Sequence, residues 1–486
     1  MELIFEKSRP GRRAFAVPAS DVPAPPLEER IDPALLRQDL DLPEVAEVDL
    51  IRHYTGLSRK NFGVDAGFYP LGSCTMKYNP KLNEETARLP GFAALHPYAP
   101  ESFSQGILQL LFELKESLGE IFGMADFTLQ PAAGAHGELT GVMMIKKCFE
   151  KRREGRTRIL IPDSAHGTNA ASGALCGYAV ATVRSNAEGD VDLEHLRTLM
   201  TEDVAGLMLT NPNTLGLFER NITEVAAVVH GRGGLLYGDG ANANAFLGKV
   251  RPGDLGFDVI QLNLHKTFST PHGCGGPGSG PVGVSRELAP FLPVPRVVKT
   301  DRGYGWKHEA PDTIGRVRAF CGNVGVMVKA YTYLRTLGAE GLRHASETAV
   351  LNANYVKALL EPHFDLPHRR TCMHECVFSG RRQVRESGVH TSDMAKRLLD
   401  FGFHPPTIYF PMIVPEAIMI EPGETESRET LDAFCDALIA IAREAREDPD
   451  RVRSAPLTTP VRRLDEVKAA RDPDVVWKRP AAEPRS

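Results

Sequence analysis

The chain has 486 residues, 57 Lys+Arg against 62 Asp+Glu for a formal net charge of −5, and 42% hydrophobic residues. That apolar fraction supports a large buried core and excludes wholesale disorder, and the balanced charge argues against a dedicated nucleic-acid binder. No apolar run approaches the roughly 20 residues of a membrane span, and eight Cys are too dilute for a disulfide scaffold.

Residues 1–100 read as a long arm. Pro is frequent (Pro18, Pro23, Pro25, Pro26, Pro33, Pro43), and periodicity is poor before Leu50, as in a segment that is disordered or wraps another surface. The first twenty residues lack the apolar core of a signal peptide. Glu2 and Glu6 also weaken a transit-peptide reading, so a reducing cytoplasm is the expected location. Residues 61–80, NFGVDAGFYPLGSCTMKYNP, are too apolar and aromatic for a plain linker and read as an ordered loop.

From about 102 the pattern changes. Ile107, Leu108, Leu111, Leu114, Leu118 and Ile121 recur at helical spacing. Five short apolar runs then predict buried strands at 158–161, 179–183, 204–209, 234–237 and 259–264. Helical stretches are predicted near 136–152, 169–177, 192–200 and 222–231. This alternation implies a mostly parallel sheet covered on both faces. The expected organisation is a large domain over 101–330, a smaller α+β domain over 331–447, and an extension over 448–486.

In such sheets ligands sit at the carboxyl ends of strands, so the residues there carry the argument. Gly134, Ala135 and His136 open a helix, where free backbone amides suit a phosphate; a tight packing turn is the commoner meaning of such a string. His166 follows the 158–161 run, although a lone His is more often a satisfied residue. Thr210 and Asn211 form a polar pair that a Pro-terminated turn also explains. Asp239, flanked by Gly at a strand end, is either a partly buried carboxylate needing a cationic partner or an Asx turn. Lys266, with His265 beside it and a Gly-rich loop behind it, is placed for Schiff-base chemistry or for simple snorkelling to solvent. Each signal is weak alone, but their order is the parts list for pyridoxal 5′-phosphate: an anion cradle, a stacking ring, a partner for the pyridine nitrogen and a Lys. No clear G-x-G-x-x-G follows the first strand and no G-x-x-x-x-G-K-[ST] is present, which disfavours a nicotinamide or P-loop reading.

The sequence resembles the cofactor-bearing half of glycine decarboxylase, the P-protein of the glycine cleavage system. The matching strings include PLGSCTMKYNPK (70–81), AGAHGE (133–138), SAHGTN (164–169), TNPNTLGLFE (210–219), DGAN (239–242), LNLHKTFSTPHG (262–273) and GGPGSGPVGV (275–284), and the match continues through 396–432. The resemblance implies the aminotransferase-like fold (fold type I). It implies Lys266 as the Schiff-base residue, Asp239 as the partner of the pyridine nitrogen and His166 as the residue facing the ring. Gly134, Ala135 and His136 become the phosphate cradle with His265 nearby, and Thr210 and Asn211 the contacts on the phenolic side. Two departures stand out: Cys274 replaces a Gly of the family string, and Ala170 replaces a Pro.

The resemblance also implies the reaction: glycine loses CO2 and its aminomethyl group passes to the lipoyl arm of H-protein, with His166 or His272 moving a proton. Single-chain P-proteins contain two aminotransferase-like halves, and 486 residues suffice for one. A partner, subunit 1 (alpha), is therefore expected, in an α2β2 assembly, with the first hundred residues as the arm that wraps it. Two rivals remain open on the residues alone: another decarboxylase or aminotransferase with this cofactor, and a non-enzymatic scaffold subunit. No metal is expected; Cys372, His374 and Cys376 (CMHEC) lack a second ligand pair at zinc-site spacing, and thiols in a strand explain them. Cys74 reads as a packed residue or a redox-sensitive one. Arg316 and Arg318 suit either a bound anion or surface ion pairs.

Overall fold

A computed structural model describes residues 2–37, 40, 42–96, 98–273 and 275–478. Cys274 lies outside the described residues. The chain divides into two compact units, Met1–Gly67 and Phe68–Ser486. In the first, the helix α1 (Glu47–Ser58) follows a largely irregular segment. Many of its apolar side chains are exposed, among them Phe15 at 77%, Val17 at 83% and Leu35 at 78%.

The second unit is built on a seven-stranded sheet. Its strands are β1 (Asp126–Thr128), β2 (Arg158–Pro162), β3 (Ala179–Val183), β4 (Val204–Thr210), β5 (Leu235–Gly240), β6 (Val259–Leu262) and β7 (Val282–Val284), in spatial order β1-β7-β6-β5-β4-β2-β3. Every pairing is parallel except the two made by β7. Both faces are covered, which is why β4 and β5 are buried along their whole length. On one face α2 (Gln105–Phe122) contributes Leu108, Leu111, Leu114 and Leu118 to the core. On the other, α3 (Gly134–Arg152) contributes Val142, Ile145 and Phe149. The order of α/β units brings the carboxyl ends of β2, β4, β5 and β6 to one edge, where the chemistry-bearing residues lie.

A β-hairpin, β8 (Arg296–Thr300) and β9 (Gly303–Lys307), precedes the long helix α4 (Val324–Leu360). That helix breaks at Gly338, whose φ of 61° and ψ of −173° no other residue adopts without strain. Beyond it a three-stranded antiparallel sheet pairs β12 (Ala417–Ile420) with β10 (Cys376–Ser379) and β11 (Thr407–Ile408). The helix α5 (Arg428–Glu447) covers it with Leu431, Phe434, Leu438 and Ile441. Val452, in the short helix after α5, joins the same core. No helix among the described residues is long and apolar enough to cross a membrane.

Candidate active site

Lys266 lies on a helical turn, Leu264–Thr267, directly after β6. The sequence pattern carried that strand to Leu264. Its ladder with β7 reaches only Gln261, and the chain turns at Asn263. Lys266 Nζ donates a hydrogen bond to the Ser73 carbonyl at 2.7 Å. The partner is 193 residues away in sequence, so it was beyond reach of any local pattern.

Asp239 is 2% exposed and sits within β5. Its Oδ2 accepts from the Thr210 hydroxyl at 3.0 Å and from Asn169 Nδ2 at 3.3 Å, and its Oδ1 accepts from the Ala241 amide at 3.0 Å. The parallel register of β4 and β5 sets Thr210 opposite Asp239. Three donors therefore converge on one buried carboxyl group. Asn169, fully buried, is a site residue that the sequence reading did not single out. Its only signal was its place in the SAHGTN string.

These side chains line one cavity of about 200 Å³. Its walls include Lys266, Asp239, Thr210, His166, His265, Gly134 and Ala135, together with Ser73, Glu138 and Thr168. His136 and Asn211 are not among its lining residues. His136 is turned back, its Nδ1 accepting from the Ala132 amide at 3.1 Å, and Asn211 Oδ1 accepts from the Glu219 amide at 3.1 Å. At the helix start, a Cβ on Gly134 would come within 2.7 Å of Asn263 Oδ1. Gly lets α3 begin this close to Asn263, the residue that opens the turn carrying Lys266, with its first amides at the cavity wall.

Glu138 is the main group that sequence reasoning missed. It stands one turn after Gly134 on α3 and is 5% exposed. The Thr168 hydroxyl lies 3.0 Å from its Oε1 and 2.9 Å from His166 Nδ1, while Glu138 Oε2 has no partner among the described residues. Burial, then the neighbouring Asp239, push the Glu138 carboxyl up to about 8. His166 caps the helix Gly167–Leu175, and burial lowers its pKa from the usual imidazole value. His265 is pushed down to about 4 by burial, then by Lys266 and His272. Its ring lies 5.2 Å from that of His272. Arg318 acts electrostatically on His136, and its Nη1 is enclosed without a partner among the described residues.

Behind Ser73 lie His374, Glu375 and Glu421, each offering an atom within 4.8 Å of the others. All three are buried. Such a donor set could serve a cation, but Glu375 and Glu421 each already give one oxygen to a backbone amide, of Ser73 at 2.8 Å and of Thr75 at 3.0 Å. The thiols of Cys372 and Cys376 pack instead in the core of the second sheet.

Comparison with known proteins is direct. A family model described as glycine dehydrogenase, C-terminal domain, matches residues 345–456. Proteins of Caldanaerobacter subterraneus and Desulforamulus reducens, each called probable glycine dehydrogenase (decarboxylating) subunit 2, are 60% identical to this chain over 98% of its length and 98–99% of theirs. The chain belongs to the glycine dehydrogenase (decarboxylating) subunit 2 family. Among solved structures, an inhibitor-bound glycine decarboxylase (P-protein) of the glycine cleavage system superposes with a TM-score of 0.72 at 22% identity, covering 85% of this chain and 94% of that one. A Lactobacillus brevis glutamate decarboxylase follows at 0.64 and 14% identity, covering 86% and 97%. The family therefore has the aminotransferase-like fold (fold type I), with the large, mostly parallel sheet and the smaller α+β portion seen here.

Proposed function

We propose that this chain is the pyridoxal 5′-phosphate-bearing subunit of a two-subunit glycine decarboxylase, which releases CO2 from glycine and passes the aminomethyl group to the lipoyl arm of H-protein. The observation that carries this reading is one cavity holding Lys266, the triply hydrogen-bonded Asp239 and the open amide end of α3. The donor set fits the cofactor: an amine, a carboxylate held by three hydrogen bonds, an anion-binding helix start and imidazoles that burial keeps neutral.

Bound there, pyridoxal 5′-phosphate supplies an electron sink for the pair left on the glycine α-carbon as CO2 departs. Lys266 is the residue to attach it, and the Ser73 carbonyl receives the amine whenever Lys266 is free. Asp239 holds a proton on the pyridine nitrogen. The first amides of α3, at Gly134 and Ala135, hold the phosphate, and His166 covers the ring. The Thr168 hydroxyl, between Glu138 and His166, provides a path for a proton to the His166 Nδ1 atom. This contact favours His166 over His272 for proton movement.

The relatives are called subunit 2, which supports a subunit 1 partner; α2β2 is the assembly proposed for the pair. The exposed apolar side chains of the first unit support its role as the covering arm. The free thiols among the described residues suit a reducing cytoplasm. One experiment tests the core of this reading. Purified chain given pyridoxal 5′-phosphate develops a visible band that borohydride fixes to Lys266, and with subunit 1 and lipoylated H-protein it exchanges the glycine carboxyl with bicarbonate. No band, or a band fixed at another residue, overturns it.

A further inference from the structure

The turn that receives the Lys266 ammonium is itself an unusual piece of backbone. Ser73 and Thr75 both have positive φ, at 66° and 46°, although neither is Gly. Such residues persist only where their surroundings impose the conformation, and they cluster at functional sites. Here the surroundings are two acids from the second sheet. Glu375 Oε2 accepts from the Ser73 amide at 2.8 Å, and Glu421 Oε2 accepts from the Thr75 amide at 3.0 Å.

Both acids are rigidly placed. Glu421 directly follows β12, and its own amide donates to the Pro70 carbonyl at 3.2 Å, beside a bridge from Leu71 to Ile420. Glu375 precedes β10, and Gly216, with φ of 74°, fits against it so closely that a Cβ there would lie 2.1 Å from the Glu375 carbonyl oxygen. The Thr407 hydroxyl adds a bond to the Gly72 carbonyl at 2.7 Å. We propose that Glu375 and Glu421 are positioning residues for Lys266, clamping the Ser73–Thr75 turn so that the Ser73 carbonyl meets the lysine amine. The assignment rests on Lys266 being the cofactor-attaching residue.

Two further observations support it. Glu375 and Glu421 each leave Oε1 without a hydrogen-bond partner among the described residues, and these oxygens lie in the same buried cluster. Burial, then Glu421, push the Glu375 carboxyl well up; burial likewise pushes Glu421 up to about 7. Two carboxyls in one dry site share a proton more readily than they both ionise, so the clamp functions with less than its full charge. What it needs is an oxygen at each position, which Gln also supplies.

The test uses full-length Glu375→Leu and Glu421→Leu beside Glu375→Gln and Glu421→Gln. One readout is competitive acetic anhydride labelling of Lys266 in the apoprotein; the other is the rate of visible-band formation with pyridoxal 5′-phosphate. The Leu variants are expected to change both by roughly tenfold or more, the size of a lost hydrogen bond to a charged group, while the Gln variants stay within about threefold. If the Leu variants do not fold, Glu375→Asp and Glu421→Asp, which retract the oxygen by one methylene, carry the same expectation. Folded Leu or Asp variants with wild-type labelling and band formation overturn the clamp, as do Gln variants no better than Leu. Failure of the cofactor reading is separate: the wild type itself then shows no band, while the labelling still reports on the clamp.

Discussion

Glu138 and Asp239 line one cavity, and the protein serves them unequally: Asp239 receives three hydrogen bonds and Glu138 receives one. Glu138 Oε2 is left without a partner among the described residues. The Glu138 carboxyl, at about 8 against an ordinary value near 4.5, is protonated in the folded protein where the unfolded chain has lost the proton. Its contribution to stability is therefore full below about 4.5 and is lost as pH rises through about 8. Glu138→Gln keeps the neutral form at every pH. Thermal melts of the apoprotein are expected to show the variant gaining on the wild type between pH 5 and 8, by about 3 kcal/mol at the upper end. A constant difference across that range would place the proton elsewhere.

Lys266→Ala removes the amine that faces Ser73 and leaves the surrounding sheet intact. The variant is expected to fold, to show no borohydride-fixed cofactor, and to lose at least about a thousandfold in glycine–bicarbonate exchange with both partners present. Far-UV circular dichroism and peptide mapping after reduction check the two halves of that expectation. Retained exchange would move the attachment site to another residue.

Thr210→Val is the conservative probe of the Asp239 network. It removes the 3.0 Å hydroxyl bond and leaves the Asn169 and Ala241 donors in place. A buried carboxylate that loses one of three donors weakens by about 1–2 kcal/mol. Cofactor retention, followed by dialysis and absorbance, is expected to fall by roughly tenfold. Asp239→Ala is expected to fall much further. Equal losses in the two variants would mean that Thr210 acts through something other than Asp239.

What the sequence revealed follows from the range of each interaction. Strand-helix alternation is written in neighbours two to four residues apart, so the sheet, its strands β2 to β6 and α2 were legible. β1 and β7 are three residues each, too short to show a period, so nothing local announced them. Lys266 and Asp239 were legible because each sits at the end of an apolar run. His136 and Asn211 are not among the residues lining the cavity; neighbouring residues point in different directions, and the string alone does not say which way. Glu138, Asn169, Ser73 and Glu375 act through partners 30 to 302 residues distant. That kind of contact exists only once the chain is folded.

The arm carries its own prediction. Phe15 and Val17 are among the most exposed apolar residues of the first unit, and large exposed apolar side chains mark surfaces that meet a partner. Phe15→Asp combined with Val17→Asp is expected to leave cofactor binding unchanged and to weaken co-purification with subunit 1 by roughly tenfold or more. An unchanged assembly in sedimentation would assign the interface to another face.

Lys77 holds the last relationship that decides something about the site. Its ammonium is buried, and its three donors are shared among Asn244 Oδ1 and the Thr267 carbonyl at 2.8 Å, Glu424 at 2.7 Å and the Tyr333 hydroxyl at 3.2 Å. Burial alone would lower its pKa, but Glu424 and Tyr333 more than reverse that, so the charge is kept. Thr267 is the neighbour of Lys266, so this one cation ties the 70–81 loop to the turn that carries the reactive amine. Lys77→Met leaves the Thr267 carbonyl without the Lys77 donor and Glu424 without its cation, with only the Tyr333 hydroxyl still donating to it, a loss of about 3–5 kcal/mol for a broken buried pair. Removing the second charge as well, in Lys77→Met with Glu424→Gln, is expected to recover at least about 1 kcal/mol in urea denaturation. Cofactor uptake should remain impaired in both variants, because the Thr267 carbonyl stays unpaired. Full recovery of uptake in the double variant would show that Lys77 stabilises the fold without helping to place Lys266.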